Sequence, residues 1–507
     1  MTATETRRTE PVPEGPRVRI DAGELRGLDQ GTVHAFRGIP YAQPPVGPLR
    51  YRAPQPVARW DGVREATAFS AAAPQNKKYT LIGFREYQPT SEDCLTLNVV
   101  TPARPAGVPR PVMVFIHGGA YLMGSSATPL YYGNSLVERG DVVFVSINYR
   151  LGALGCLDLT DFATDVRPID GNLALRDQVA ALEWVQRNIA AFGGDPGNVT
   201  VFGESAGGNA VTTLLATPSA HGLFHRAIAQ SSAPELTVDA AVARGRGKRV
   251  VEILGGPEAI DTATPEELGR AGNQLMGELN REQSGVVPYG PVVDGALLPE
   301  DPEVAIAAGR GADVPLIIGT NRTEATLFTK MPGMGKPSAD RVAHSLGVEL
   351  AAADALGAAY PGYPSVASLN RIVGDMMFWA PSLRIAQAHS RHAPTYFYRY
   401  DFAPKVLDVL GYGATHATEL MAVFGVYHGV TGWVVGALGD RRVAMRVSDG
   451  MQRDWITFAR TGRPAGEWPQ YNGTSRATLV IDDRNSIVYD PSAEVRRAWD
   501  AFEAARR

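Results

Sequence analysis

Apolar residues along the chain follow two rhythms. Val112-Met-Val-Phe-Ile116 is apolar at every position, and Asp141-Val-Val-Phe-Val-Ser-Ile-Asn148 repeats the pattern, which marks strands covered on both faces. Residues 171–191 instead carry Leu173, Val179, Leu182, Val185 and Ile189 at helical spacing, and Gly193-Gly194 closes the helix they predict. Next, Asn198-Val-Thr-Val-Phe202 reads as an apolar strand running into a turn, with the helical run Asn209-Ala-Val-Thr-Thr-Leu-Leu-Ala216 close behind. His225-Arg-Ala-Ile-Ala-Gln-Ser231, Val314-Pro-Leu-Ile-Ile-Gly319 and Tyr396-Phe-Tyr-Arg-Tyr400 predict further strands, separated by helix-rich segments. Strands alternating with helices imply an α/β protein, a mostly parallel sheet with helices on both faces.

The N-terminal part differs. Residues 18–36 alternate apolar and polar around Gly27 and Asp29-Gln-Gly31, which predicts an antiparallel hairpin meander. Gly38-Ile-Pro-Tyr-Ala-Gln-Pro-Pro-Val-Gly47 follows, and its prolines predict a rigid loop without regular structure. Ser91-Glu-Asp-Cys-Leu-Thr-Leu-Asn-Val-Val100 alternates again as a strand does.

The turn after Phe202 carries the chemistry. Gly203-Glu204-Ser205-Ala206-Gly207 fits G-x-S-x-G, in which a strand reverses into a helix so tightly that only small residues fit two before and two after the serine. The serine is held in a strained conformation that lifts its hydroxyl clear of the sheet, and the new helix points amide N–H groups at charge developing beside it. A serine hydroxyl is a poor nucleophile until a base takes its proton, and the base needs an acid to fix its tautomer. In such sheets the site lies at the carboxyl ends of the strands, and the chain order is serine, acid, histidine.

Of nine histidines, His344, His389, His392, His416 and His428 follow Ser205 with room for an acid between. His416 sits in the small-residue loop Gly411-Tyr-Gly-Ala-Thr-His416, beyond the strand at 396–400 and before the helical Glu419-Leu-Met-Ala-Val423, where a catalytic histidine belongs. His389 and His392 lie on an amphipathic helix and are expected at a solvated surface. Glu324, in Gly319-Thr-Asn-Arg-Thr-Glu324 just past a strand, is the expected acid, whereas Asp294 in Val293-Asp-Gly295 reads as a turn residue. Upstream, His117-Gly-Gly-Ala120 follows a buried strand, and the pair Gly118-Gly119 lets backbone N–H groups reach a substrate oxygen. Gly118, Gly119, Ala120 and Ala206 form the expected oxyanion hole.

Composition narrows the picture. With 44% hydrophobic and 20% charged residues the chain is an ordinary globular protein with a sizeable core. A net charge of −4 without runs of like charge argues against nucleic-acid partners and membrane-attracting patches. Cys94 and Cys156, the two cysteines, are expected as buried thiols. Met1 to Pro16 holds Arg7 and Arg8 with no apolar segment behind them, so no signal peptide is expected, only a flexible start and a cytoplasmic enzyme. Residues 111–137 lack charge but are broken by glycines, serines and His117. Residues 420–438 approach the ~20 residues of a membrane span, but four glycines, His428 and Thr431 make a buried, pocket-lining segment the expectation. No internal repeat or long linker appears, so residues 17–507 are expected as one catalytic domain with insertions forming a substrate gorge. No metal or other cofactor is expected, and the oligomeric state, monomer or homodimer, stays open.

The ordered motifs resemble the type B carboxylesterases of the α/β-hydrolase fold, the group of bacterial para-nitrobenzyl esterases and cholinesterases. They are Phe36-Arg-Gly-Ile-Pro-Tyr-Ala-Gln-Pro-Pro-Val-Gly47, Ser91-Glu-Asp-Cys-Leu95, His117-Gly-Gly-Ala120, Asn148-Tyr-Arg-Leu-Gly152, Phe192-Gly-Gly-Asp-Pro196, Phe202-Gly-Glu-Ser-Ala-Gly-Gly208 and Gln230-Ser231. The resemblance places the family's acid on Glu324 and its histidine on His416, and implies that Glu204 and Ser231 assist the histidine's orientation or have buried structural roles. It further implies hydrolysis of small to medium, relatively apolar esters through an acyl-enzyme. Amides or carbamates would use the same residues, and a cholinesterase-like binding module is the non-catalytic alternative. An interfacial lipase is disfavoured, because no amphipathic lid is evident. Thr323 and Ala325 depart from the Asp and Gly usual beside the acid, and Cys94 has no upstream partner for the cholinesterase disulfide. Residues 77–88 lack the tryptophan that cholinesterases use to hold quaternary ammonium, leaving Phe84 and Tyr87 as aromatic faces, so a choline-ester site is not expected. Residues 425–438 are expected as an apolar pocket or entrance wall.

Overall fold

The computed structural model describes residues 15–83, 85–283, 285–331 and 337–505. Most of the N-terminal stretch expected to be flexible, and Phe84, therefore lie outside the described residues.

An eleven-stranded sheet organises the chain. In chain order its strands are β1 (Leu28–Asp29), β2 (Val33–Pro40), β3 (Thr96–Pro102), β4 (Arg110–Ile116), β5 (Val143–Ile147), β6 (Gly194–Glu204), β7 (Arg226–Gln230), β8 (Leu316–Asn321), β9 (Thr395–Tyr400), β10 (Ala477–Ile481) and β11 (Ser486–Tyr489). They run across the sheet as β11-β10-β9-β8-β7-β6-β4-β5-β3-β2-β1. The seven strands from β10 to β5 in that order pair parallel, and antiparallel pairs occupy both margins.

Period-two alternation divides the central strands between two cores. Val112, Val114 and Ile116 enter one core and Met113 and Phe115 the other, and Leu316 and Ile318 oppose Ile317 in the same way. Because both faces are packed, β4 has no exposed residue. Helices α1 (Leu173–Asn188) and α2 (Ala206–Leu215) pack into the first core, and α3 (Arg441–Thr461) covers the second. One buried ion pair fixes α1 to the loop after β5. Asp177 of α1 takes Arg150 through bonds of 2.8 Å from Nε and 2.6 Å from Nη2, and Arg150 Nη1 donates to the Arg52 carbonyl. Cys94 and Cys156 are buried free thiols, and burial raises the pKa of both.

Several expectations are corrected. The N-terminal meander splits: Arg17–Ile20 and Gly23–Arg26 form a hairpin in a separate three-stranded sheet with Val63–Glu65, while β1 and β2 join the main sheet edge. The proline-rich loop begins only after Pro40. Gly38, at φ +65°, forms a bulge between Phe36 and Ile39, and this bulge carries β2 past the motif's first residues. Residues 91–95 precede β3 and do not belong to it, and the polar alternation in β3 faces no solvent: Asn98 Nδ2 donates to Ser126 and Ser146. His389 is buried, its Nδ1 2.9 Å from Thr395 Oγ1, and is not on a solvated surface; burial lowers its pKa to about 4. In residues 420–438, Leu420, Val423 and Tyr427 are buried, but Val430, Trp433 and Val434 are exposed, so the second half of that segment is not a buried wall. Among the described residues no helix is long and apolar enough to cross a membrane.

Candidate active site

β6 runs into α2 through Ser205, whose backbone stands at φ 61°, ψ −121°, a region that costs a non-glycine residue roughly 1–3 kcal/mol. The neighbouring glycines make this turn possible. A Cβ on Gly203 would sit 2.6 Å from the Gly207 backbone and from the Ile116 carbonyl oxygen, and one on Gly207 would collide with that same oxygen. The Ser205 N–H is pinned to the Gln230 carbonyl at 2.9 Å, and its carbonyl opens α2 by accepting from Asn209 N. Ala206 is thus the first residue of α2, with its N–H outside the helical hydrogen-bond ladder.

The Gly118–Ala120 segment leaves the end of β4 and presses against this turn. A Cβ on Gly118 would lie 2.5 Å from Glu204 O and 3.0 Å from Ser205 Cβ. Gly119 at φ +112° and Ala120 at φ +55° turn the chain sharply, and the Gly119 carbonyl accepts from Leu122 N and Met123 N. The loop is fixed from two sides. His117 stacks on Tyr149 at 4.6 Å, and Tyr149 OH donates to the His117 carbonyl, while Tyr121 OH donates to Asn209 Oδ1 of α2 at 2.7 Å. Burial lowers the His117 pKa to about 4, so its ring stays neutral, with Nδ1 2.9 Å from the Gly118 carbonyl oxygen.

Glu324 and His416 meet opposite the elbow. His416 Nδ1 lies 2.7 Å from Glu324 Oε2, and the other oxygen of Glu324 accepts from Ser231 Oγ at 2.7 Å and Asn321 N at 2.6 Å. The two loops are sewn together: Thr323 N donates to Ala414 O, Thr323 Oγ1 to Tyr412 O, and Thr415 Oγ1 accepts from Leu327 N. Thr323, one of the departures beside the acid, therefore ties the acid loop to the histidine loop. The rings of Phe378 and Phe328 stand 4.5 and 5.0 Å from the imidazole.

On the far side of the ring, His416 Nε2 is 3.1 Å from Glu204 Oε1, although neither atom makes a hydrogen bond. Ser205 likewise shares no hydrogen bond with His416 among the described residues; such bonds often close only when substrate binds. Glu204 and Ser231 thus both stand beside the His416–Glu324 pair. Asp294 is a turn residue, accepting from Ala296 N and Leu298 N, and His428 is partly exposed with Nε2 2.9 Å from Asp449 Oδ1.

Sequence reasoning missed Glu419. Wholly buried, it accepts from Gln230 Nε2 at 3.1 Å and Asn321 Nδ2 at 2.5 Å. Its signal was available: a lone charge three residues past His416, heading an apolar run. Burial raises the Glu204 pKa to about 8 and the Glu419 pKa to about 7, with neighbouring glutamates adding to the shift. Burial opposes the charged imidazole of His416, but Glu204 and Glu324 outweigh it and raise its pKa to about 9. A buried imidazole held by a carboxylate, with a strained serine at the turn against which the Gly118–Ala120 loop packs, has the parts for acyl transfer.

The sheet order, the strand–serine–helix turn and the antiparallel margin define an α/β-hydrolase fold. The model of the carboxylesterase family matches residues 14–360 and 362–499, and the chain belongs to that family. It is 39% identical over 502 residues to the para-nitrobenzyl esterase of Bacillus subtilis (strain 168), covering 95% of this chain and 97% of the relative. The phenmedipham hydrolase of Pseudarthrobacter oxydans is 35% identical over 493 residues, covering 93% and 96%. A solved Geobacillus stearothermophilus carboxylesterase superposes with a TM-score of 0.83 at 37% identity, over 95% of this chain and 99% of that one.

Proposed function

We propose that the protein is a serine carboxylic ester hydrolase in which Ser205, His416 and Glu324 act as nucleophile, base and orienting acid. Ser205 Oγ attacks the ester carbonyl carbon while His416 Nε2 takes the hydroxyl proton. The carbonyl oxygen becomes an anion received by the amides of the Gly118–Ala120 segment and Ala206. The tetrahedral adduct then collapses, breaking the bond to the alcohol, which leaves with the proton from His416. Water, deprotonated by His416, attacks the acyl-Ser205 carbonyl, and the bond to Ser205 Oγ breaks as Oγ takes the proton back from His416, releasing the carboxylic acid. Glu324 fixes the imidazole through Nδ1, and Glu204 and Ser231 orient the pair.

The observation that carries this reading is the 2.7 Å contact of His416 Nδ1 with Glu324 Oε2, in the chain order expected after a serine at φ 61°. Esters are favoured over amides and carbamates by the family and by the esterase relatives, and the complete set of groups argues against a binding-only module. The rings of Phe328 and Phe378 beside His416 support small to medium apolar substrates. Residues 77–88, with Gln75 just before them, are the favoured specificity segment. Gln75 exchanges two 2.8 Å bonds with Gly124, and Ser125 Oγ donates to Gln88, so the segment is tied to the oxyanion loop. Residues 17–507 act as one catalytic unit in this reading, and the buried free thiols support a cytoplasmic setting.

Ser205→Ala should lower kcat on a short-chain p-nitrophenyl ester by about 10⁶-fold while leaving the far-UV circular dichroism unchanged. Near wild-type turnover by the variant would remove Ser205 from the mechanism.

A further inference from the structure

A second cavity lies at the carboxyl ends of β8 and β9, the position where open α/β sheets bind ligands. Its volume is about 180 Å³, and Asn321, Arg322, Arg371, Asp375, Arg399 and Ser492 stand around it. Three guanidinium groups thus converge with a single carboxylate in the lining. The strands impose this meeting: Thr320 of β8 pairs with Arg399 of β9, and Arg322 N donates to the Tyr400 carbonyl at 2.9 Å.

The charges do not cancel. Asp401, which is outside the lining, takes Arg399 through bonds of 2.6 and 2.7 Å and has only a 3.6 Å contact left for Arg322. Asp375 is drawn the other way, accepting from Tyr360 OH at 2.8 Å, and that hydroxyl accepts in turn from Trp499 Nε1. Its contact to Arg371 Nε is 3.6 Å, well beyond the roughly 2.7–2.9 Å of a charge-assisted hydrogen bond. Arg371 Nη2 donates to Ser492 Oγ at 3.0 Å. Two arginines therefore face a partly open polar pocket with N–H groups left free for a ligand.

We propose that this pocket binds a small oxyanion, a carboxylate or a phosphate, on the guanidinium groups of Arg322 and Arg371 with Ser492 beside them. The planar forks of arginine suit such anions. The volume sets the ligand's size: it exceeds the ~30 Å³ share of a water molecule and falls below the roughly 300 Å³ at which drug-sized ligand sites begin. Asn321 walls the pocket from the candidate active site, since its N–H holds Glu324. Anion binding in this pocket is independent of ester hydrolysis and is read without it.

The full-length protein is titrated calorimetrically with inorganic phosphate and, separately, with acetate, using sodium chloride at matched ionic strength as the reference. Saturable one-site binding of phosphate or acetate is expected, and the tighter of the two identifies the ligand class. Arg371→Gln should weaken it about tenfold to a hundredfold, the range for one hydrogen bond to a charged group. If that variant fails to fold, Arg322→Gln, at a side chain 58% exposed, replaces it with the same expectation. Arg310→Gln, at an exposed arginine paired with Glu300, should bind as wild type. The proposal is overturned if neither anion binds beyond the chloride reference, or if the folded pocket variant binds as tightly as wild type.

Discussion

Two of the buried charge clusters among the described residues, Arg150 with Asp177 and His416 with its glutamates, are built on opposite principles. Arg150 and Asp177 form a closed account: one cation, one anion, two short bonds between them, and a backbone N–H and carbonyl for the remaining groups. His416 is surrounded by the carboxyl groups of Glu204, Glu324 and Glu419, burial raises the pKa of Glu204 and Glu419, and His416 Nε2 and Glu204 Oε1 are left without hydrogen bonds. A matched buried pair serves the scaffold, because breaking it strands a charge in low dielectric. An unmatched cluster is costly to fold and leaves an imidazole with an open nitrogen next to a strained serine. That is where proton transfer can be driven.

The largest effect expected from this contrast is on stability. Asp177→Asn should destabilise the protein by about 3–5 kcal/mol, since Arg150 remains buried without its partner. The shift is read from denaturant unfolding, and a loss below about 1 kcal/mol, the scale of an exposed pair, would show that the two clusters do not differ in kind.

Glu204→Gln should act on function and more weakly. Glu204 and Glu324 raise the His416 pKa, so removing one carboxylate lowers it. The neutral imidazole is the base, and activity is therefore lost as pH falls through the pKa of the coupled pair. The acid limb of kcat/KM should move to lower pH in the variant, with unfolding stability kept or raised. A limb that stays in place or moves upward would mean that Glu204 does not set the charge of His416.

How much of this was legible in the sequence follows from how local each signal is. β4 and β5 announce themselves because a strand buried on both faces must be almost wholly apolar, and the elbow because Gly203 and Gly207 answer a local steric demand. Glu324 and His416 followed from chain order and family motifs. The misses depend on tertiary partners. β11 went unpredicted because it is short, mostly exposed and at the sheet edge, and β10, which pairs with it and with β9, was missed with it. His389 on its amphipathic helix looked solvated until Thr395 closed over it, and Gly38 hid a bulge inside a proline-rich run. Glu419 was read as the start of a helix; only the fold brings Gln230 and Asn321 to it from other strands. Residues 430–435 form a short helix whose apolar side chains stay exposed, which no pattern of hydrophobicity distinguishes from a buried one.

The central claim is that Ser205 carries the acyl group. The most direct test mixes enzyme with excess p-nitrophenyl acetate, quenches in acid within the first turnover and maps the acetylated peptide by mass spectrometry. One acetyl group per chain on Ser205 is expected, with a matching burst of p-nitrophenol that Ser205→Ala abolishes. Acetylation at another residue, or turnover with neither burst nor label on Ser205, would contradict the account.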